Sequence, residues 1–342
     1  MKLKVKNVIE ETKDAVSICF NNGNFFKKIK YKPGQFLTIH VPIDGVVHKR
    51  AYSFSSNPFT DRNLKITIKR VEKGLVSNYV HDHIREGDRL VVDDPAGSFI
   101  VEPNKRVGRQ YVLFAGGSGV TPIFSILKAV LSEEFGSNIL LIYANQNMDS
   151  IIFHDEIKSL ENNYPDRFSV EHIISSIKAD KGNYHYGLAT KGLIDAIFKK
   201  HNLSYEDYHY MICGPFGYMD SIKNILRENG ISRDKIMVEV FNPATVKLTG
   251  KNLVSDVTLS FEGKKHQFKV RRDKSILQEA MSGNVVIPYS CRSGMCSTCK
   301  AKCVEGEVKM IDGHFLPESE VENGAILTCV SYPISEKVVL EI

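Results

Sequence analysis

The stretch YVLFAGGSGVTPIFSILKAVL, residues 111–131, joins two periodicities across one glycine-rich turn. Tyr111 to Ala115 is a short, continuous apolar run, the form of a strand buried on both faces. From Pro122 to Leu131, the residues Ile123, Phe124, Ile126, Leu127, Val130 and Leu131 recur at helical spacing. Between them Gly116, Gly117, Ser118 and Gly119 permit tight turning and close backbone approach. Thr121 follows, and Pro122 suits a first helical turn, where a missing N–H costs nothing. A helix start of this kind attracts phosphate. It is not the G-x-G-x-x-G fingerprint, because Pro122 stands in place of the third glycine.

Downstream, Asn138 to Ala144, Phe168 to Ile174 and Tyr208 to Cys213 read as further strands alternating with helical segments. Residues 106–241 therefore predict an α/β domain with a parallel sheet and crossover helices. Cys213, Gly214 and Pro215 end a strand at the same carboxyl edge as the glycine turn, where open sheets bind ligands. Read singly, Cys213 is equally a buried strand-end thiol.

Upstream the pattern changes. Over residues 1–105, alternating segments such as Gln35 to Val41 and Leu64 to Lys69 are separated by turns at Pro33-Gly34, Asp44-Gly45 and Pro95-Ala96-Gly97. That predicts an antiparallel barrel or sandwich. In it, Arg50-Ala51-Tyr52-Ser53 follows a strand pattern with types that suit a flavin: a cation for the pyrophosphate, an aromatic for the isoalloxazine and a hydroxyl for N5. Four residues alone fit a chance strand as well. Gly74, Leu75, Val76 and Ser77 follow, placing backbone N–H groups and a hydroxyl at a helix start, a seat for a diphosphate. The basic cluster Lys27, Lys28, Lys30 and Lys32, beside the Pro33-Gly34 turn, reads as a solvated loop.

Residues 242–251 are rich in Pro, Gly and polar types and predict a linker. Over 252–342, Val257 to Phe261 and His266 to Val270 form a hairpin pattern, and Ser275 to Met281 a short helix. Cys291, Cys296, Cys299 and Cys329 then follow the spacing C-x4-C-x2-C with a distant fourth cysteine, which suits a 2Fe-2S cluster. Gly294 and the small Ser293, Ser297 and Thr298 let backbone N–H groups approach the sulfides. A zinc site also uses four thiolates, but it favours paired C-x2-C units, and only one is present. A four-iron site needs a first C-x2-C step and a trailing Pro that are missing. Cys303 reads as a thiol packed on the core, not a fifth ligand.

Composition excludes several classes. With 42% hydrophobic and 25% charged residues the 342-residue chain is globular, neither disordered nor collagen-like nor a coiled coil. At about 150 residues per domain it holds two to three domains. A net charge of +5 without an Arg-rich stripe argues against nucleic acid. No apolar run reaches the ~18 residues of a membrane span, and the opening lacks a secretion signal, so a cytoplasmic protein without membrane insertion is expected. The odd cysteine count speaks for a metal site over a disulfide framework. His81, His83, His154 and His185 fit no metal spacing and read as surface or satisfied structural residues.

The segments 275–280, 287–299, 304–308 and 326–329 resemble a plant-type ferredoxin domain, which implies a beta-grasp fold. Over residues 1–241, motif order and spacing resemble the ferredoxin-NADP reductase superfamily. That resemblance implies that Phe241 covers the flavin face and yields to nicotinamide, and that Glu239 lies near the reacting centre. Phe241 as a plug of the domain junction is the alternative. It further implies that Cys213 borders the nicotinamide and that Thr67, Ile68 and Lys69 give backbone contacts to the adenylate half of FAD. The order of the three domains resembles reductase components of bacterial oxygenases, especially the phenylacetyl-CoA epoxidase reductase type. The implied activity is electron transfer from NAD(P)H through FAD and a 2Fe-2S cluster to an oxygenase, hydroxylase or other accepting protein. A related branch with the ferredoxin at the same end uses FMN; the resemblance at Arg50, Tyr52 and Ser53 and the diphosphate seat at Gly74 to Ser77 tilt the reading to FAD. Gln146, in Tyr143 to Ser150, stands where NADPH-preferring relatives place an Arg, which leans the reading to NADH. The rival class is a non-catalytic redox sensor, against which the intact flavin and nicotinamide motifs speak.

Overall fold

Period-two patterning, as in Leu64 to Lys69, marks the first sheet. In the computed structural model, which describes residues 1–22, 29–176, 182–206, 208–241, 253–311, 314 and 316–342, six strands form an antiparallel sheet. They are β1 (Lys2–Thr12), β2 (Ala15–Phe20), β3 (Phe36–Ile43), β4 (Val46–Ser53), β5 (Leu64–Lys69) and β6 (Arg89–Val92), in the order β4-β3-β6-β1-β2-β5. A bridge between Phe54, just past β4, and Ile66 of β5 joins the two outer strands and closes the barrel. Leu64, Ile66 and Ile68 point into its core at a period of two. Helix α1 (Leu75–His83) buries Val76 and Val80 in the same core. The linker expected at 242–251 and the lysines Lys27 and Lys28 lie outside the described residues.

The second sheet is parallel throughout. Its elements are β7 (Gln110–Gly116), α2 (Val120–Glu133), β8 (Asn138–Asn145), α3 (His154–Asn163), β9 (Phe168–Ile174), β10 (Tyr184–Tyr186), α4 (Lys191–Lys200), β11 (His209–Cys213), α5 (Phe216–Glu228) and β12 (Ile236–Glu239). Strand order is β10-β9-β8-β7-β11-β12. The chain leaves β7 towards β8 and returns on the other side at β11, so the switch point lies between the carboxyl ends of β7 and β11. These two sheets form one compact unit, Met1–Glu239, and the second unit is Val240–Ile342.

In the second unit a mixed sheet of order β14-β13-β19-β15-β17 uses β13 (Val254–Phe261), β14 (Lys264–Arg271), β15 (Lys300–Glu305), β17 (Ala325–Leu327) and β19 (Lys337–Glu341). A small hairpin pairs β16 (Val308–Met310) with β18 (Ser331–Pro333). Helix α6 (Ile276–Ser282) starts on a capping box, Ser275 accepting from the Gln278 N–H and Gln278 from the Ser275 N–H. It buries Ile276, Leu277 and Ala280 in one core with Val257, Leu259 and Leu340, while α7 (Glu318–Glu322) is a single exposed turn. This is the beta-grasp arrangement of a sheet around one helix.

The histidines are used structurally. His81 Nε2 meets the Ile68 carbonyl at 3.0 Å and His154 Nε2 the Tyr184 hydroxyl at 2.9 Å. Glu171 on β9, 1% exposed, binds His185 at 2.6 Å, His201 at 2.5 Å and Lys200 at 2.7 Å, tying β10 and α4 to the sheet. Burial pushes its carboxyl up, but the hydrogen bonds from His201, Lys200 and His185 outweigh burial and hold it at about 2. That lies below the unfolded carboxylate, about 4.3. The network therefore stabilises the fold above that range and loses its contribution as pH falls towards about 2. Glu171→Gln is expected to lower stability at pH 7 by on the order of 2–4 kcal/mol, with a smaller gap at pH 3. Urea titrations followed by circular dichroism measure both, and an equal gap at the two pH values would count against the network.

Candidate functional site

Backbone meets backbone at the switch point. A Cβ on Gly119 would lie 2.2 Å from the Cys213 carbonyl oxygen, and one on Gly116 would lie 2.8 Å from Pro215 Cδ. One on Gly214 would lie 3.0 Å from Gly116 Cα. Only glycine fits these three positions. Gly117 differs: its φ is +50°, and the nearest atom to a Cβ there is Lys69 Nζ at 3.9 Å, so the turn faces open space with a cation at its rim. The Tyr143 hydroxyl holds the turn from behind, donating to the Gly117 carbonyl at 3.1 Å and accepting from the Ile152 N–H at 3.2 Å. Residues Gly117–Gly119 form a 3-10 turn that runs straight into α2. The helix therefore begins at Val120, two residues before the expected Pro122, and the Thr121 hydroxyl is spent on the Ser118 carbonyl at 3.0 Å.

Three strands deliver residues to one row on this edge. Cys213 is in register with Ala115 on one side and Glu239 on the other, and Pro215 caps α5. Cys213 is fully buried and Glu239 is 3% exposed. Burial, with Glu239 adding to it, pushes the Cys213 thiol well above its ordinary range, so it stays neutral. Phe241 is a half-buried residue of the second unit.

On the barrel, β4 sets Arg50 opposite Ile39, Ala51 opposite Thr38, Tyr52 opposite Leu37 and Ser53 opposite Phe36. By pleat alternation Arg50 and Tyr52 share one face, Ala51 and Ser53 the other. Ser53 is buried at 3% exposure. Burial pushes the Tyr52 phenol up to about 12 against the pull of Arg50, which keeps the ring a neutral donor. Thr67 and Ile68 offer backbone only: the Thr67 hydroxyl bonds Ser17 at 2.6 Å and Ser55 at 2.8 Å, and the Ile68 side chain is in the core. Lys69, expected beside the adenylate through its backbone, sends its ammonium towards Gly117. Gly74 is the N-cap of α1, which leaves the first N–H groups of Leu75, Val76 and Ser77 without partners inside the helix. The Ser77 hydroxyl does not face outward as expected. It accepts from the Val71 N–H at 3.2 Å and donates to the Gly74 carbonyl at 3.3 Å, locking the turn.

The four spaced cysteines come as two close pairs, Cys291 with Cys296 and Cys299 with Cys329. Hydrogen bonds from Cys291 and Cys329 hold Cys296 and Cys299 below the ordinary thiol range. The N–H groups of Ser293 and Met295 each point at Cys291 Sγ from 3.4 Å. Gly294 has φ +79°, and a Cβ there would press on Val330 at 3.1 Å, so the loop bends where only glycine is comfortable. Among the described residues no three His, Cys, Asp or Glu side chains converge on one point. Two pairs of cysteine sulfurs suit a two-iron rhomb, each iron taking two. Cys303 packs on the core, its sulfur 3.6 Å from the Glu305 and Gly306 carbonyls.

Family models agree with this geometry. An oxidoreductase FAD-binding domain matches residues 2–100, an oxidoreductase NAD-binding domain 113–224 and a 2Fe-2S iron-sulfur cluster binding domain 259–333. The ferredoxin reductase component of 3-ketosteroid-9-alpha-monooxygenase from Rhodococcus rhodochrous is 34% identical over 353 residues, covering 99% of this chain and 96% of its own. A subunit of the 1,2-phenylacetyl-CoA epoxidase from Escherichia coli is 31% identical over 345 residues, covering 99% and 96%. Phthalate dioxygenase reductase superposes with a TM-score of 0.67 at 24% identity, covering 100% of this chain and 98% of that structure, and so shares the fold. The chain belongs to the family of flavin and iron-sulfur reductase components. It is an NAD(P)H-dependent electron-transfer oxidoreductase that uses FAD and a 2Fe-2S cluster.

Cys329→Ser is expected to lose most of the iron and the cluster absorbance, whereas Cys303→Ser keeps about two irons per chain. Iron and sulfide assays with electron paramagnetic resonance of the reduced protein check both.

Proposed function

We propose that the chain passes electrons from NADH to the oxygenase component of a multicomponent system, with residues 1–105 as the FAD domain, 106–241 as the nicotinamide domain, 242–251 as a linker and 252–342 as the ferredoxin domain. The observation that carries the residue assignment is the switch point: an open glycine turn beside a row of buried strand ends, with Lys69 at its rim. FAD supplies the exchange between a two-electron hydride donor and one-electron steps, and the 2Fe-2S cluster supplies the one-electron outlet.

The residues do the positioning. Arg50 and the first N–H groups of α1, at Leu75, Val76 and Ser77 behind the N-cap Gly74, hold the flavin pyrophosphate. Tyr52 lies on the ring and Ser53 hydrogen-bonds N5, while Ala51 lines the flavin and the backbone of Thr67, Ile68 and Lys69 meets the adenylate half of FAD. Gly116, Gly117, Ser118, Gly119 and Thr121 form the dinucleotide turn, with Lys69 adding a charge to the bound phosphates. Cys213, Gly214 and Pro215 border the nicotinamide; Glu239 stands beside it and Phe241 covers the flavin until nicotinamide displaces it. Cys291, Cys296, Cys299 and Cys329 ligate the cluster. The preference for NADH rests on Gln146, an exposed neutral side chain at the end of β8 that gives a 2'-phosphate no guanidinium.

The two relatives serve a monooxygenase and an epoxidase, which supports an oxygenase as acceptor. Nucleic acid has no place in this reading, given the mild charge. No helix among the described residues is long and apolar enough to cross a membrane, and a cytoplasmic site of action completes the proposal.

Anaerobic stopped-flow mixing with NADH is expected to bleach flavin first and cluster next. Ser53→Ala should slow flavin reduction on the order of tenfold, about 1.4 kcal/mol, with little change in NADH binding. An unchanged rate removes Ser53 from N5. The kcat/KM for NADH should exceed that for NADPH; the reverse order overturns the role of Gln146, and no bleaching by either nucleotide overturns the whole reading.

A further inference from the structure

Helix α2 is apolar on nearly all sides, yet Ser125, Lys128 and Ser132 interrupt it at i, i+3 and i+7, on one face. That face meets the segment that follows Ser53. Ser125 Oγ donates to the Ser56 carbonyl at 2.6 Å, Lys128 Nζ to Asp61 Oδ2 at 2.6 Å, and Asn57 Nδ2 to Ser132 Oγ at 3.2 Å. Ser125, Ser56 and Asn57 are fully buried, and the Lys128 side chain is only 15% exposed, its ammonium 4.7 Å over the Phe124 ring.

The segment is stiff in itself. The Asp61 N–H donates to the Asn57 carbonyl at 3.0 Å, the Asn57 N–H to Asp61 Oδ2 at 2.9 Å and the Phe59 N–H to Asn57 Oδ1 at 3.0 Å. It is also stitched to β5, the Lys65 N–H donating to Ser56 Oγ at 3.0 Å and the Ser55 N–H to the Lys65 carbonyl at 2.8 Å. Ser125 stands four residues beyond Thr121, about 6 Å along the helix. Barely one helical turn thus separates the bonded point on the flavin side from the dinucleotide turn.

We propose that Ser125, Lys128 and Ser132, with Ser56, Asn57 and Asp61, form a positioning clamp that sets the distance between the Ser53 end of β4 and the glycine turn. It thereby sets the gap across which hydride passes. The inference rests on the proposed roles of Ser53 and the glycine turn. In the step it governs, the C4–H bond of the dihydronicotinamide breaks, an N5–H bond forms on the flavin, and both electrons travel with the hydride, leaving oxidised nicotinamide and reduced flavin. None of the six residues is a catalytic residue; they act through the elements they join.

The test uses the full-length holoprotein and compares the parent with Lys128→Met and Lys128→Arg. Two readouts are taken: hydrogen-deuterium exchange of peptides covering 53–61 and 116–125, and stopped-flow flavin reduction by NADH and by NADH deuterated at C4. For Lys128→Met, exchange should rise in both peptides together. Flavin reduction should fall about 10- to 100-fold with the isotope effect fully expressed, at unchanged FAD content and with the NADH dissociation constant within about threefold. Lys128→Arg keeps the pair with Asp61 and should return the rate to within about threefold of the parent. The clamp is overturned if exchange rises in one peptide only, or if the deuterium-sensitive rate stays within about twofold of the parent. Should Lys128→Met fail to fold, Ser125→Ala takes its place with the same two readouts, and the same results support or overturn the clamp. If the parent itself shows no NADH-driven flavin reduction while the variant exchanges faster in both peptides, the functional reading fails and the clamp stands.

Discussion

Everything in the first unit hangs on a close approach of main chain to main chain at the carboxyl ends of β7 and β11. With no side chain at Gly116, Gly119 or Gly214, the turn after β7 sinks until it touches the Cys213 carbonyl, and α2 starts flush with the sheet. A single added methyl would push turn and strand apart, at the 1–3 kcal/mol typical of overpacking, and would shift the helix that begins there. Because the inner side of the turn is filled by backbone, the turn faces open space on its Gly117 side. That constraint also fixes the row formed by Ala115, Cys213 and Glu239, whose register follows from strand pairing alone.

The second unit solves a related problem by similar means. Its cysteine loop must turn N–H groups towards sulfur and away from other backbone, and Arg292 and Gly294 adopt positive φ to do so. Gly294 then packs on Val330, one residue past Cys329, so the segment carrying the fourth sulfur is seated against the loop carrying the other three. Pairing of Cys299 with Cys329 is a consequence of that seating, helped by the Thr328 N–H donating to the Cys299 carbonyl at 3.0 Å. In both units glycine lets two segments touch, at the turn after β7 and at the cysteine loop.

Local pattern made much of this legible. The apolar run and helical repeat of residues 111–131 foretold β7 and α2, and β9 falls on the expected residues 168–174, because a buried parallel sheet leaves a continuous apolar signature. The cysteine spacing was equally direct, since ligand geometry acts over a few residues. What stayed hidden is the use of polar side chains, locally at Ser77 and across longer sequence separations at Lys69 and Glu171. Ser77 reads as a ligand hydroxyl but turns inward to hold Val71 and Gly74, since Gly74 packs tightly against it. Lys69 sits in a strand of the flavin barrel yet points at the other sheet's glycine turn. Glu171 looks like one more charged strand residue, and its three hydrogen-bonding partners come from β10 and the end of α4. No short window of sequence contains the Lys69 and Glu171 pairs.

Lys128 shows why such pairs matter more for register than for stability. A buried lysine and a half-buried aspartate gain little net free energy, since the desolvation of both charges offsets most of their attraction. An apolar residue at 128 would pack against the barrel as well or better. Apolar surfaces, however, are non-directional, and a helix as apolar as α2 has several rotations and slides that bury similar area. Three hydrogen bonds at i, i+3 and i+7 admit one of them. A reductase whose two binding elements must be held to a fraction of an ångström has use for that selection, which is a physical reason for an ammonium to lie under the domain surface where a methyl group would otherwise do.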